Sequence, residues 1–135
     1  MTRTLFLLGL PIVCLGLLTA ATRIPDALLV DGGPQHIVLS GLSSGDITRA
    51  TWNATRMVEV HGCAAAPIIV ACTLRFKDCN GKPVTAKNEG AGLTAEMRSM
   101  VSKLPDGTPF TVSVVAQDVS GRDMPMPEAS FIIRR

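Results

Sequence analysis

The sequence is poor in the side chains that usually build ligand sites. Tyrosine is absent, tryptophan occurs once, and there are two histidines. Sites that stack bases or sugars depend on several aromatic rings, so ligands of that kind are disfavoured. An excess of one charge is also lacking, since 13 lysines and arginines stand against 11 acidic residues. Without a basic stripe, nucleic acid and anionic membrane surfaces are poor candidate partners.

A complete catalytic constellation is missing as well. Gly41-Leu42-Ser43-Ser44-Gly45 has the spacing Gly-x-Ser-x-Gly, but this short motif by itself does not make Ser43 a nucleophile. His36 and His61 have no carboxylate partner that the sequence identifies, and a nucleophile needs a positioned base with an orienting group. We therefore expect a protein that is not an enzyme and that uses no cofactor.

The N-terminus has the pattern of an export signal. Arg3 precedes an apolar run from Leu5 to Leu18, and Thr19-Ala20-Ala21 supplies small residues for a signal peptidase. The run is shorter than the roughly 20 apolar residues of a spanning helix, and Pro11 interrupts it. The sequence predicts a signal peptide over residues 1–21, with an uncleaved anchor as the alternative. The expected destination is the periplasm or the cell surface.

Three cysteines follow the signal, so they do not all pair within one chain. Cys72 and Cys79 lie seven residues apart on an expected strand, roughly 20 Å at the usual rise and too far for a disulfide. Cys72 is expected to be a buried thiol. Cys63 and Cys79 remain the candidates for a disulfide, within the chain or between two copies in a homodimer. A zinc site formed by His61 and the cysteines is disfavoured because no Cys-x-x-Cys pair occurs.

Alternation of apolar and polar residues predicts six strands, at 36–40, 57–60, 67–78, 84–86, 110–116 and 129–134. In the third strand, Val70, Cys72, Leu74 and Phe76 are expected on the apolar face. Asn80-Gly81 then predicts a hairpin turn.

Two short helices are expected between the strands. Asp46 is expected to cap the first, with Ile47 among the residues on its apolar face. Thr94 is expected to cap the second, which carries an apolar stripe at helical spacing formed by Met97, Met100, Val101 and Leu104. The prediction is an α+β fold: a mostly antiparallel sheet and two short helices on one face. It forms a single small domain over residues 35–135, after a linker at 22–34.

The second half of the chain resembles a known family. Leu93 to Thr108 reads as a helix followed by a glycine turn, and Phe110 to Ala116 leads to Ser120-Gly121-Arg122 and a last strand. Together with the Asp78 to Val84 turn, this order is similar to the C-terminal domain of GldM, the periplasmic subunit of the gliding-motility and type IX secretion machinery of Bacteroidetes. The similarity covers roughly residues 35–135, and its motifs are structural rather than catalytic.

The resemblance implies a function in protein–protein interaction. The expected role is an exported, non-enzymatic interaction domain, an accessory of a type IX secretion or gliding apparatus that binds an envelope protein such as a secretion-ring component. The family's domains pair in longer proteins, so a homodimer is also implied. The alternative that remains open is a small secreted metal-binding or hydrolytic protein that uses His61 and the cysteines.

Overall fold

The computed structural model describes residues 33–62 and 66–135. The expected signal peptide, most of the expected linker and Cys63 lie outside these residues. Within the described ranges the chain forms eight strands and two helices: β1 His36–Val38, β2 Gly45–Thr48, α1 Arg49–Ala54, β3 Glu59–His61, β4 Ile68–Lys77, β5 Pro83–Glu89, α2 Ala95–Ser102, β6 Pro109–Gln117, β7 Asp123–Met124 and β8 Ala129–Arg134.

Six strands form one large sheet. Its order is β2-β8-β6-β4-β5, and the short β7 pairs with β6. β2 runs parallel to β8, whereas the other neighbours in this sheet are antiparallel. β1 and β3 form a separate two-stranded antiparallel sheet. The predicted α+β class, with a mostly antiparallel sheet and two short helices, is therefore confirmed.

One face of the large sheet forms the core. Cys72 of β4 lies opposite Val114 of β6, and Leu74, two residues further along β4, lies opposite Val112. All four side chains are buried. Both helices and the small sheet, with the turns that follow β1 and α2, add buried side chains to the same cluster: Ile37, Leu39, Trp52, Met97, Val101 and Leu104.

The second predicted helix forms as expected. The Thr94 side chain accepts a hydrogen bond from the backbone N–H of Met97 at 3.1 Å and caps α2. Of the predicted stripe, Met97, Val101 and Leu104 are buried, and Met100 is half-buried.

The expected N-terminus of the first helix is wrong. Asp46 lies within β2, and α1 begins at Arg49 with Thr48 as its cap. Ile47 is buried as a strand residue and lies opposite Ile133 of β8. The reason is a pairing with a strand more than 80 residues away in sequence, which overrides the local helical pattern.

The predicted inward position of Val70 is also wrong. The register of β4 against β6 shifts between Ile69 and Ala71, which is the mark of a β-bulge. Val70 is therefore displaced from the alternating pattern and is 41% exposed. Cys72 and Leu74, beyond the bulge, keep the predicted inward orientation.

The predicted hairpin at Asn80-Gly81 is confirmed. Gly81 adopts a φ of 76°, a conformation that costs glycine little. The Asp78 carboxylate accepts hydrogen bonds from the backbone N–H groups of Asn80 and Lys82, each at 2.9 Å. The return strand runs from Pro83 to Glu89, four residues longer than the predicted 84–86.

Candidate functional site

The cysteines occupy different environments. Cys72 is fully buried, and its thiol donates to the carbonyl of Gly92 at 3.4 Å. Desolvation by burial raises the pKa of the Cys72 thiol. Cys79 is exposed in the hairpin turn. Because Cys63 lies outside the described residues, its pairing with Cys79 stays a prediction, whereas the expected burial of Cys72 is confirmed.

The two histidines come together at one end of the small sheet. His36 on β1 lies directly opposite His61 on β3. Their ring centroids are 6.3 Å apart, with the rings tilted by 55°. Each ring also has an acceptor nearby: Nδ1 of His36 is 3.0 Å from the carbonyl oxygen of Pro34, and Nε2 of His61 is 3.1 Å from Oε2 of Glu59.

Glu59 is a carboxylate partner that sequence reasoning missed. It precedes His61 by two residues on the same strand, and side chains at i and i+2 of a strand lie on one face. This spacing of two residues on a strand was the sequence feature that could have predicted the contact between Glu59 and His61. The juxtaposition of His36 with His61 had no comparable signal, because it depends on the register of two strands.

Gly62 permits this arrangement. Its φ is 146°, and a Cβ at this position would lie 2.7 Å from Cα of Gln35. The backbone after His61 thus contacts the backbone before His36 at a distance that only glycine allows.

The outer face of the large sheet carries exposed apolar side chains at one end. Ile68, Val70 and Val115 are 60%, 41% and 45% exposed. Val115 lies opposite Ala71 on the neighbouring strand. We call Ile68, Val70 and Val115 the apolar corner.

β5 forms an edge of the large sheet. Two backbone hydrogen bonds show which residues of β5 bond to β4. They run from the Asp78 N–H to the Lys82 carbonyl and from the Gly90 N–H to the Val70 carbonyl. Antiparallel pairs bond at alternate residues, so the intervening even-numbered positions of β5 bond to β4. The backbone groups of Thr85, Lys87 and Glu89 therefore point away from β4, and no strand within the described ranges pairs with that side.

A shallow depression of about 620 Å³ joins these two features. It is lined by Val70, Ala71, Lys87, Asn88 and Glu89. The unpaired edge of β5 and the apolar corner are therefore neighbouring parts of one surface. Its charged side chains are of both signs, one lysine and one glutamate.

A second depression lies at the opposite end of the sheet. Its volume is about 410 Å³, and its lining includes Phe76 and Phe110 together with Arg75 and Lys77. Apart from these two cations, its lining is apolar or hydroxyl-bearing, and no carboxylate, imidazole or thiol belongs to it.

Metal clusters and membrane-spanning helices are absent from the described part of the chain. No three or more histidine, cysteine or acidic side chains converge there on a common point. Neither helix in residues 33–62 and 66–135 is long and apolar enough to cross a membrane.

No protein-family model matches the chain, and no curated protein matches it significantly.

Proposed function

We propose that this protein is an exported, non-enzymatic interaction domain that binds an envelope protein, as an accessory of a type IX secretion or gliding apparatus. The proposal rests on the N-terminal export pattern and on the resemblance of residues 35–135 to the C-terminal domain of GldM. The carrying observation is the surface formed by the unpaired edge of β5 and the apolar corner.

Strand addition is the binding mode that this surface supports best. An extended segment of a partner would bond the outward backbone groups of Thr85, Lys87 and Glu89, as peptides do at exposed sheet edges. The apolar side chains of the same segment would then contact Val70 across the adjoining depression. Lys87 and Glu89 would select a segment that carries charges of both signs.

The test changes one backbone donor at the edge. Thr85→Pro removes an N–H that points away from β4, and proline is tolerated at such edge positions. Thr85→Ala keeps the N–H and serves as the matched control. Both variants and the unchanged protein are used to capture partners from a Bacteroidetes envelope fraction, and circular dichroism checks their folding.

The expected result is that the unchanged protein and Thr85→Ala retain one secretion-ring or other envelope protein that Thr85→Pro loses. Equal capture by all three proteins would contradict strand addition at β5. Capture of no envelope protein by any of them would contradict the proposed function itself.

A further inference from the structure

We infer that His36 and His61 form a binding site for a divalent transition-metal ion such as Zn²⁺ or Cu²⁺. The inference is independent of the proposed partner, because these side chains belong to the small sheet and not to β5. It begins with the cross-strand placement of the two rings at a centroid distance of 6.3 Å.

The hydrogen bonds leave one nitrogen of each ring available for a metal. A carbonyl oxygen only accepts, so the bond with Pro34 places the proton of His36 on Nδ1. The lone pair is then on Nε2. An ionised carboxylate likewise only accepts, so the bond with Glu59 places the proton of His61 on Nε2 and leaves Nδ1 as the ligand atom.

These partners are of the kind found around metal-binding histidines. Such histidines donate their second ring N–H to a carbonyl or a carboxylate, which fixes the tautomer and raises the basicity of the ligand nitrogen. The structure supplies one of each: the Pro34 carbonyl for His36 and the Glu59 carboxylate for His61.

The spacing of the rings fits a shared ion. A metal about 2.0–2.1 Å from one nitrogen of each ring places the centroids about 5–6 Å apart, depending on the angle at the metal. The observed separation of 6.3 Å is slightly above this range, so binding requires only a small approach of the half-exposed His61 ring. Glu59 is engaged as the hydrogen-bond partner of His61, and no group of three metal ligands forms within the described residues, so we expect water at the remaining positions.

The type of donor selects the class of ion. Two neutral imidazoles favour Zn²⁺, Cu²⁺ and Ni²⁺ over Mg²⁺ and Ca²⁺, which prefer oxygen ligands. Among these, Cu²⁺ is expected to bind tightest. Mg²⁺ is therefore a suitable negative control ion.

The experiment measures Zn²⁺ and Cu²⁺ binding by titration calorimetry on the full chain, purified without a histidine tag. Cys63→Ser and Cys79→Ser are present throughout, so that these thiols do not bind the metal. Either His36→Ala or His61→Ala is expected to weaken binding on the order of 100-fold, because the second imidazole binds intramolecularly. Both side chains are at the surface end of the small sheet, and thermal unfolding verifies that the variants fold.

Two further variants test the geometry rather than the ligands. Glu59→Ala is expected to weaken binding about tenfold through loss of the outer hydrogen bond, whereas Glu128→Ala, which removes an exposed carboxylate bonded to Arg75, leaves binding unchanged. Gly62→Ala is expected to weaken binding as well, since its Cβ would displace the backbone of Gln35.

Electron paramagnetic resonance of the Cu²⁺ complex gives a direct count of ligands. The expected spectrum shows two equivalent or nearly equivalent imidazole nitrogens. A single coordinated imidazole, or an affinity that the double variant His36→Ala with His61→Ala leaves unchanged, would overturn the site.

Discussion

Cys72 and Cys79 belong to one hairpin but are expected to react very differently. The Cys72 thiol is buried against the core, and burial raises its pKa. Since the thiolate is the nucleophile, both effects suppress its reactivity near neutral pH. Cys79 lies exposed in the turn between β4 and β5.

We predict that iodoacetamide alkylates Cys79 in the folded protein and leaves Cys72 unmodified until denaturant is added. Peptide mass spectrometry of the reduced protein, before and after denaturation, measures the modified fraction at each site. Rapid native alkylation of Cys72 would contradict its placement in the core. Cys79→Ser controls for peptide assignment.

Of the two side-chain pairs that involve His61, only one can be predicted from the sequence. The pairing of Glu59 with His61 follows from alternation on one strand. The pairing of His36 with His61 requires the β1–β3 register, and it is this second pairing that supports a metal site.

At the scale of elements, the two turns that begin at Asp78 and Asp118 have the same hydrogen-bond pattern. Asp118 accepts from the backbone N–H groups of Ser120 and Arg122, at 2.8 and 3.0 Å, just as Asp78 does for Asn80 and Lys82. The Arg122 side chain adds an ion pair to Asp118 at 2.9 Å. Both turns follow a strand of the large sheet, β4 or β6, and set the register of the strand that comes next.

The carboxylate of Asp118 makes its turn sensitive to acid. The hydrogen bond from the Arg122 backbone is the main cause that lowers the pKa of this carboxyl, with further hydrogen bonds from the Ser120 backbone and the Arg122 side chain. A lowered folded-state pKa means that the stabilisation is present above the unfolded pKa. It is lost as the pH falls through the folded pKa.

We predict that Asp118→Ala unfolds at lower denaturant concentration than the unchanged protein at neutral pH, and that the difference shrinks as the pH is lowered toward 3. Urea unfolding at a series of pH values measures it. Glu89→Ala, which removes an exposed carboxylate of β5, is the control. A difference that stays constant or grows on acidification would contradict the proposed source of stability.

The long-range pairing of β2 shows the limit of local reasoning about elements. Residues 43–54 have helical features, and α1 does form at Arg49–Ala54. The segment before it becomes a strand because β8 offers a parallel partner. Only the folded chain brings these two segments together.

At the scale of the whole molecule, Trp52 joins the helices to the sheet. Its ring is fully buried and meets Phe110 of β6 edge-on at a centroid distance of 5.0 Å. Its indole N–H donates to the carbonyl of Arg98 on α2 at 2.9 Å. One side chain therefore contacts both the sheet and the other helix.

We predict that Trp52→Ala lowers the free energy of unfolding by about 3–5 kcal/mol, the usual cost of removing a large buried aromatic side chain. Trp52→Phe should lower the free energy of unfolding by less, because it keeps much of the packing. The remaining loss comes from the missing hydrogen bond to Arg98. Chemical denaturation followed by circular dichroism compares them. Equal stability of all three proteins would contradict the role assigned to Trp52.

The sequence alone determined the fold class, the positions of β6 and β8, the start of α2 and the turn at Asn80-Gly81. These features depend on neighbours a few residues apart, where alternation, caps and glycine conformations act directly. The tertiary structure decided the bulge at Val70, the parallel pairing of β2, the central place of Trp52, the unpaired edge of β5 and the facing histidines. Each of these depends on contacts between segments distant in sequence, and no local pattern encodes which segments meet.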